Sequence, residues 1–305
     1  MNKTDEKLLN NVLDNNPYEA DSYNIRKNGK SIDRKINPYV NIISKEDGSG
    51  IDIYVKENTL LQIIDIPVII TESGLKDVVY NDFHIGKNSN IVIVAGCGIH
   101  NSFSHDSVHD GIHRFYLEEN SQVKYIEKHY GSGMGTGKKI LNPITEIIMQ
   151  KGSRMTMDST QLKGVDNTFR TTKATLYEDA TLIINEKILT NNSQYAKTDF
   201  LVNLEGTNAS CHVTSRSVAT DNSYQEFTSN IIGNAKSFAH VECDAIIQDK
   251  ASVKAIPEIY ANFVDANLIH EAAIGKIAGA QLMKLMSLGL TEKEAEETII
   301  KGFLK

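Results

Sequence analysis

Short runs of β-branched and other apolar residues dominate the chain from about residue 50 to 265. The clearest runs are IDIYV at 51–55, NIVIVA at 90–95, ITEIIM at 144–149, TLIINEKIL at 181–189 and FLVNL at 200–204. Polar turn residues separate these runs, and no helical periodicity appears over the whole stretch. Runs of this length and composition are typical of β-strands, so the pattern predicts an all-β core.

A similar polar corner recurs between the runs. The corners are KNS at 87–89, ENS at 119–121, KGS at 151–153, EDA at 178–180, EGT at 205–207, GNA at 233–235 and DKA at 249–251. From residue 152 to 234 they recur about every 27 residues. A strand and corner repeated at a fixed interval predict stacked coils, a β-solenoid in which each coil covers the apolar face of its neighbour. An antiparallel β-sandwich would show the same alternation and is the alternative.

The two ends of the chain differ from this core. Residues 1–45 are mainly polar, with one short helical pattern around Leu8 to Leu13. Residues 269–305 contain two amphipathic helical patterns. We therefore predict an N-terminal arm at 1–45, a β-solenoid core at 46–268 and a C-terminal helical segment at 269–305.

Local signals set the ends of the two C-terminal helices. Gly289 follows the pattern KIAGAQLMKLMSL, at a position where a positive φ angle ends a helix at low cost. Thr291 and Glu294 have the spacing of a capping box at the start of the second helix. The apolar faces of these helices contain Leu282, Leu285, Met286, Ile299 and Phe303. They serve either as a plug on the open end of the solenoid or as a docking surface, and the two roles are compatible.

Charge and composition exclude several classes of partner. The net charge is −7, with 32 basic residues scattered among 39 acidic ones, so no basic stripe exists for nucleic acid. No apolar run has the length of a membrane span or of a signal peptide, so we expect a cytoplasmic protein without membrane contact. Cys97, Cys211 and Cys243 are odd in number and far apart, which favours free thiols in a reducing compartment.

The glycine-rich stretch GSGMGTGKK at 131–139 superficially resembles a phosphate-binding loop. Its spacing does not fit, because the first glycine of the motif would fall at Ser132 and Lys139 would occupy the hydroxyl position. We predict a mobile loop and no nucleotide bound by this chain.

A second dense stretch, CGIHNSFSHDSVHDGIH at 97–113, is rich in soft ligands. It holds Cys97, His100, His105, His109 and His113. Thiolate and imidazole groups bind zinc or iron, so a metal site is one interpretation. The other is a polar turn with satisfied hydrogen bonds, because strand alternation would send some of these side chains to opposite faces.

The third candidate lies near the end of the core. Cys243 in VECDAII alternates with Glu242 and Asp244, which places the thiol on the opposite face from both carboxylates. About one coil later come His270 and Glu271. Stacking could bring thiolate, imidazole and carboxylate together as a metal or cluster site, whereas the alternative is an ordinary buried cysteine.

Residues 237–304 resemble the C-terminal core of the SufB/SufD family, subunits of the SUF iron–sulfur cluster assembly machine. The resemblance rests on a Cys followed by Asp, a later His-Glu-Ala, and a final helix that ends in Gly-Phe. It extends upstream through YIEKHYGSG at 125–133, MDSTQL at 157–162 and YNIRKNG at 23–29. The resemblance implies a right-handed parallel β-helix flanked by helical ends.

The resemblance also implies site residues. In SufB-type proteins the positions of Cys243 and Glu271 are implicated in holding a transient iron–sulfur cluster, with His270 between them. Gln161 and a lysine near Lys173 are proposed to line a sulfur-transfer route inside the helix. His129 stands where SufB has a further cysteine that receives sulfur from a sulfur donor, so this route is altered or missing here.

The implied partners are the ABC-type ATPase SufC, docked on the C-terminal helices, and a second SufB/SufD-type subunit in a homodimer or heterodimer. The ATPase activity would reside in SufC, so this chain is expected to be a scaffold and not an enzyme. The cysteine-containing N-terminal extension of SufB is absent, which indicates a short family member. A SufD-like structural subunit without its own cluster site is the alternative. A β-helix enzyme acting on polysaccharide is disfavoured because the chain has no Trp and no obvious acid pair.

Overall fold

The computed structural model describes residues 1–13 and 17–305. The first half contains α1 (Lys3–Val12), β1 (Ser22–Lys27), β2 (Lys30–Lys35), β3 (Val40–Ser44), β4 (Gly50–Val55), β5 (Leu60–Asp65), β6 (Val68–Ile70), β7 (Lys76–Ile85), β8 (Asn90–His100), β9 (Ser107–Leu117), β10 (Gln122–Ser132), β11 (Lys139–Leu141) and β12 (Ile144–Met149). The second half contains β13 (Arg154–Lys163), β14 (Asn167–Leu176), β15 (Thr181–Thr190), β16 (Tyr195–Leu204), β17 (Ser210–Ala219), β18 (Tyr224–Gly233), β19 (Phe238–Ile247), β20 (Ser252–Ala261), β21 (Asn267–Gly275), α2 (Gly279–Ser287) and α3 (Glu292–Phe303). A short 3₁₀ turn, Pro17–Glu19, precedes β1.

The strands form two sheets that face each other. Sheet A has the order β2-β1-β5-β8-β10-β13-β15-β17-β19-β21, with β6 beside β1 and β8. Sheet B has the order β20-β18-β16-β14-β11-β9-β7-β4-β3, with β12 beside β9 and β14. From β13 onward the chain alternates between the two sheets, and each strand pairs in parallel with the strand one coil later. The predicted parallel solenoid is confirmed, and these parallel ladders rule out the antiparallel sandwich.

The length of a coil changes along the solenoid. In sheet A, Asn90 pairs with Gln122 and Gln122 with Arg154, a separation of 32 residues each time. Arg154 then pairs with Thr181, a separation of 27 residues. The interval predicted from the corners therefore holds for the later coils. The earlier coils are longer because they carry the segments 101–106 and 133–138 outside the regular strands.

The polar corners occupy one stacked edge. Their central residues have positive φ angles, as at Asn88, Asn120, Asp179 and Asp249. The left-handed region is least costly for Gly, Asn and Asp, which explains the composition of the corners. The side-chain amide of Asn88 also donates to Asn58 one coil earlier at 3.1 Å. The corners predicted from sequence are confirmed.

The glycine-rich segment packs against the neighbouring coil and does not form a free loop. Gly135 N donates to Asn101 O at 3.1 Å, and Gly137 N donates to Phe103 O at 2.9 Å. A Cβ atom on Gly135 would lie 2.2 Å from Phe103 O. The glycines therefore permit close approach of two backbones, which corrects the prediction of a mobile loop.

Strand structure extends beyond the boundaries drawn from sequence at both ends. β1 to β3 lie within the predicted arm, and β21 continues to Gly275. Helix α1 packs on the outer face of β8 through Leu8 and Val12. Helices α2 and α3 pack on each other. Gly289, with φ +97°, follows α2, and Thr291 and Glu294 form the expected capping box. Among the described residues, no helix combines the length and hydrophobicity of a membrane span.

Candidate functional site

The interior between the two sheets contains polar side chains as well as an apolar core. Strand alternation sends every second residue inward, and several of these residues carry charge. We call the following six buried side chains the interior ion network: Asp77, His109, Glu127, His129, Arg170 and Glu186. Buried charges are costly unless they are paired, so the contacts within this network decide whether it is stable.

Arg170 is at the centre of the network. One guanidinium nitrogen donates to Glu127, and another lies 3.2 Å from Nδ1 of His129. Because arginine only donates, Nδ1 of His129 accepts, and its proton is on Nε2, 3.5 Å from Glu127. Burial alone would raise the pKa of Glu127, but Arg170 and His129 more than offset this effect and hold that pKa well below its usual value.

Glu186 approaches the same guanidinium from the next coil, with 3.5 Å between Oε1 and Nε of Arg170. Its carboxylate accepts hydrogen bonds from Thr198 at 2.9 Å and Ser215 at 2.8 Å. Burial nevertheless raises the pKa of Glu186 above its usual value. The two carboxylates thus share one arginine, and Glu127 has the stronger pairing.

At the other end of the network, Asp77 connects an arginine and a histidine. Its carboxylate accepts from Arg26 at 2.6 and 3.1 Å and lies 3.1 Å from Nδ1 of His109. Cys97 lies beside His129 in the ladder between β8 and β10. Burial would raise the pKa of the Cys97 thiol, but His109 and His129 lower it to about 7.

The histidine-rich stretch at 97–113 is divided by this architecture. Cys97, His109 and His113 are buried, whereas His100 bonds to Ser132 and Ser102 near the surface. His113 lies 2.7 Å from the Tyr125 hydroxyl, and burial lowers its pKa to about 4. Within residues 1–13 and 17–305, no three His, Cys, Asp or Glu side chains are arranged to hold a metal ion. The satisfied polar interpretation therefore fits this stretch.

Cys243 lies on the inner face of β19, as predicted, and is 2% exposed. Its neighbours in the ladder are Ser215 on β17 and Ala272 on β21. Burial is the main reason that the pKa of the Cys243 thiol is raised to about 12, and Glu186 adds to the effect. In the isolated chain this thiol is therefore protonated at neutral pH.

The structure brings His270, but not Glu271, to the face of Cys243. His270 pairs with Val241 on the inner side, and its Nδ1 is 3.4 Å from Ser229 Oγ. Its Nε2 is buried and has no hydrogen-bond partner among the described residues. Glu271 pairs with Glu242 on the outer face, where its carboxylate lies 3.3 Å from His240.

The residues of the predicted sulfur route also separate. His129 and Gln161 are adjacent on the inner face of β10 and β13, and both are buried. Lys173 is exposed on the outer face of β14, so it does not line the interior. Alternation along β14 sends Arg170 and Thr172 inward instead. Sequence reasoning missed Arg170, although its place on the apolar face of a strand was a readable signal.

The predicted partner-binding residues occupy two environments. Ile299 and Phe303 line a groove of about 730 Å³ between α3 and the end of β21. Leu282 and Leu285 are half-buried, and Met286 is exposed. The most exposed apolar side chains of this segment are Met283 and Leu288, at 67% and 74%. The sequence analysis missed these two because they lie outside the amphipathic stripe.

Comparison with known proteins gives one consistent family. A family model described as "SUF system FeS cluster assembly, SufBD core domain" matches residues 83–303. An iron–sulfur cluster assembly SufBD family protein of Methanocaldococcus jannaschii is 30% identical over 252 residues, covering 82% of this chain and 74% of the relative. Another, from Pyrococcus horikoshii, is 29% identical over 270 residues, covering 85% and 78% respectively.

Proposed function

Since the chain belongs to the SufBD family of the SUF iron–sulfur cluster assembly system, we propose that it is a scaffold subunit on which a transient cluster is built. The cluster is cargo, assembled and then handed on. We assign Cys243 and His270 as its contacts within one chain, with Glu271 contributing from the outer face. The chain itself carries no catalytic residue in this proposal.

The observation that carries this assignment is the unpartnered Nε2 of His270 on the face that bears Cys243. A buried imidazole nitrogen without a partner is costly, and coordination of a metal would satisfy it. A thiol whose pKa is about 12 binds iron only by releasing its proton to the metal, so cluster affinity should rise with pH. A cluster held by so few protein ligands would be labile, which suits a scaffold.

Glu271 can contribute only if something approaches the outer face or the end of the solenoid. Within the described chain, β21 ends sheet A and β20 ends sheet B, so each has a neighbour on one side only. Free strand edges are normally covered. We therefore propose a dimer, with a second copy or another SufB/SufD-type subunit completing the site at this end.

The C-terminal helices are proposed to bind the ABC-type ATPase SufC, which would supply the ATPase activity. Met283 and Leu288 are exposed apolar side chains on α2 and immediately after it. Exposed apolar side chains grouped in this way are typical of a docking surface. The sulfur donor and SufC are proposed partners of the assembled complex.

Anaerobic reconstitution with iron and sulfide tests the cluster assignment. Cys243→Ser should eliminate the visible absorption of the reconstituted complex, because serine cannot replace the thiolate. Cys211→Ser is the matched control, since Cys211 is also a buried inward-facing cysteine. Circular dichroism establishes that both variants fold. Full cluster content in Cys243→Ser would refute the assignment.

Co-purification with SufC tests the docking surface. Met283→Glu combined with Leu288→Glu should abolish binding while the β-rich circular dichroism spectrum is unchanged. Deletion of residues 276–305 should have the same effect. Phe103→Glu, at a distant loop residue of equal exposure, is the control and should bind normally. Retained binding in the deletion variant would contradict the proposal.

A SufD-like structural subunit is the second candidate. It is favoured by the burial of Cys243 in the apolar core and by its protonated thiol. In that case both cysteine variants would support normal cluster assembly when the chain is mixed with a cluster-binding subunit.

A further inference from the structure

We propose that Cys97 is a nucleophilic thiol that accepts sulfane sulfur from a small polysulfide, with His109 as the base and Asp77 as a positioning residue. This inference rests on the proposed function for its purpose, because cluster assembly consumes sulfur. It concerns a site at the opposite end of the interior from Cys243.

The geometry has the three parts of an activated thiol. His109 presents Nε2, which is buried and without a hydrogen-bond partner in the described chain, beside Cys97. Its Nδ1 lies 3.1 Å from Asp77, which Arg26 fixes through two hydrogen bonds. A nucleophile, a base and a group that orients the base are the arrangement that activates cysteine in many enzymes.

The charges around Cys97 favour its thiolate. His109 and His129 both lie next to it, and they overcome burial to lower the Cys97 pKa to about 7. Burial would lower the pKa of His109, but the Cys97 thiolate and Asp77 raise it to about 10. Between these values the pair is a thiolate and an imidazolium. Nucleophilic reactivity of cysteine follows the thiolate fraction.

The other two cysteines show that this is not a general property of the interior. Cys211 lies between Leu182 and Ala239 in its ladder, and burial raises its pKa to about 12. Cys243 lies between Ser215 and Ala272, with its pKa also raised to about 12. All three thiols face inward from sheet A, so the difference comes from the ionised neighbours of Cys97.

Burial limits the size of the substrate. Cys97 is 5% exposed, so a small donor fits better than a protein. Gly111 lies against the imidazole, since a Cβ atom there would be 3.1 Å from Nε2 of His109. The missing side chain leaves space beside the base. Inorganic polysulfide is small, anionic and rich in sulfane sulfur, and the imidazolium would attract it.

The reaction needs no added oxidant or reductant. The Cys97 thiolate attacks one sulfur of the polysulfide, and a new S–S bond forms at Sγ. The S–S bond beyond the attacked sulfur breaks, and its electron pair leaves on a polysulfide shorter by one sulfur. The proton taken from the thiol remains on His109, where it pairs with the persulfide anion.

The test treats the iron-free protein with inorganic polysulfide at pH 7 and locates persulfides by alkylation and mass spectrometry. We expect Cys97 to be modified at least about tenfold faster than Cys211 or Cys243, as the thiolate fractions require. His109→Gln should reduce the rate at Cys97 about tenfold or more. Equal rates at the three cysteines would overturn the proposal. Serum albumin carrying a persulfide should not modify Cys97, and modification by it would overturn the assignment of a small donor.

A second measurement keeps the proposal testable if His109→Gln folds poorly. In Asp77→Asn the pH midpoint for alkylation of Cys97 should move upward, because His109 becomes a weaker base. An unchanged midpoint would remove Asp77 from its positioning role. The titratable or charged groups facing the pair are Arg26, Asp77, His113, Glu127 and His129. Cluster reconstitution uses free sulfide, so failure of persulfide formation at Cys97 and failure of cluster binding at Cys243 are read separately.

Discussion

The two ends of the solenoid interior have the same backbone and opposite chemistry. Around Cys97 the inward positions carry paired ions, whereas around Cys211 and Cys243 they carry apolar groups and hydroxyls. Cys97 is accordingly poised as a thiolate near neutral pH, and Cys243 is held as a thiol. Stacked coils thus fix where side chains point, while each coil chooses its own polarity.

Pairing explains why the charged end is compatible with folding. Arg170 satisfies two carboxylates, and Asp77 is satisfied by Arg26 and His109. Removing one member of such a set leaves an uncompensated buried charge, which is more costly than the pair was favourable. The comparison can therefore be broken by single substitutions.

Arg170→Ala should have the largest effect on stability. It leaves Glu127 and Glu186 buried without their cation, at a cost of about 3–5 kcal/mol in the free energy of unfolding. Arg114→Ala is the matched control, because Arg114 bonds Glu146 at 3.0 Å on the outer, partly exposed face. Its loss should cost about 1 kcal/mol or less. Urea denaturation of the two variants measures both effects, and equal costs would contradict the description of a buried network.

Glu127→Gln and Glu186→Gln should differ from each other. The folded pKa of Glu127 is lowered, so its stabilisation is present above its unfolded pKa and is lost as pH falls below that value. The folded pKa of Glu186 is raised, so its charge destabilises the fold at neutral pH. At pH 7 we expect Glu127→Gln to cost about 1.5–3 kcal/mol and Glu186→Gln to be nearly neutral.

Unfolding curves between pH 3 and 7 measure the difference, because Glu127→Gln should flatten the acid loss of stability. A wild-type protein and a Glu127→Gln variant with parallel pH profiles would show that Glu127 does not titrate as described.

The smallest difference is expected between two serine substitutions. Cys211→Ser buries a hydroxyl between Leu182 and Ala239 and should cost about 1–3 kcal/mol. Cys243→Ser places the hydroxyl beside Ser215 and should cost about 1 kcal/mol. Thermal melting of the two variants orders them. A larger loss for Cys243→Ser would mean that Ser215 does not accept a hydrogen bond from residue 243.

Local features were predictable from sequence, and register was not. The Asn and Asp corners, the inward direction of Cys243 and the caps around Gly289 and Thr291 follow from neighbouring residues. The pairing of Glu242 with Glu271, however, depends on the register between β19 and β21. A shift of one residue would reverse the face of every side chain, and composition does not specify it.

The Cys97 site shows the same limit over a longer distance. Asp77, Cys97 and His129 come from three successive coils, so their proximity arises only after stacking. The sequence marked the stretch from 97 to 113 as chemically dense, but it could not separate the buried His109 from the half-exposed His100. Alternation alone would have corrected the placement of Lys173, which is one residue from the inward Thr172.

The stacked Asn and Asp corners also bear on how such a chain can change length. Coils of 32 and 27 residues share the same corner and the same strand pairing. The extra residues leave the solenoid on the opposite side, in 101–106 and 133–138. Insertions and deletions there can accumulate over evolution without moving any inward side chain to another level, so new surface segments can be acquired while the interior chemistry is inherited intact.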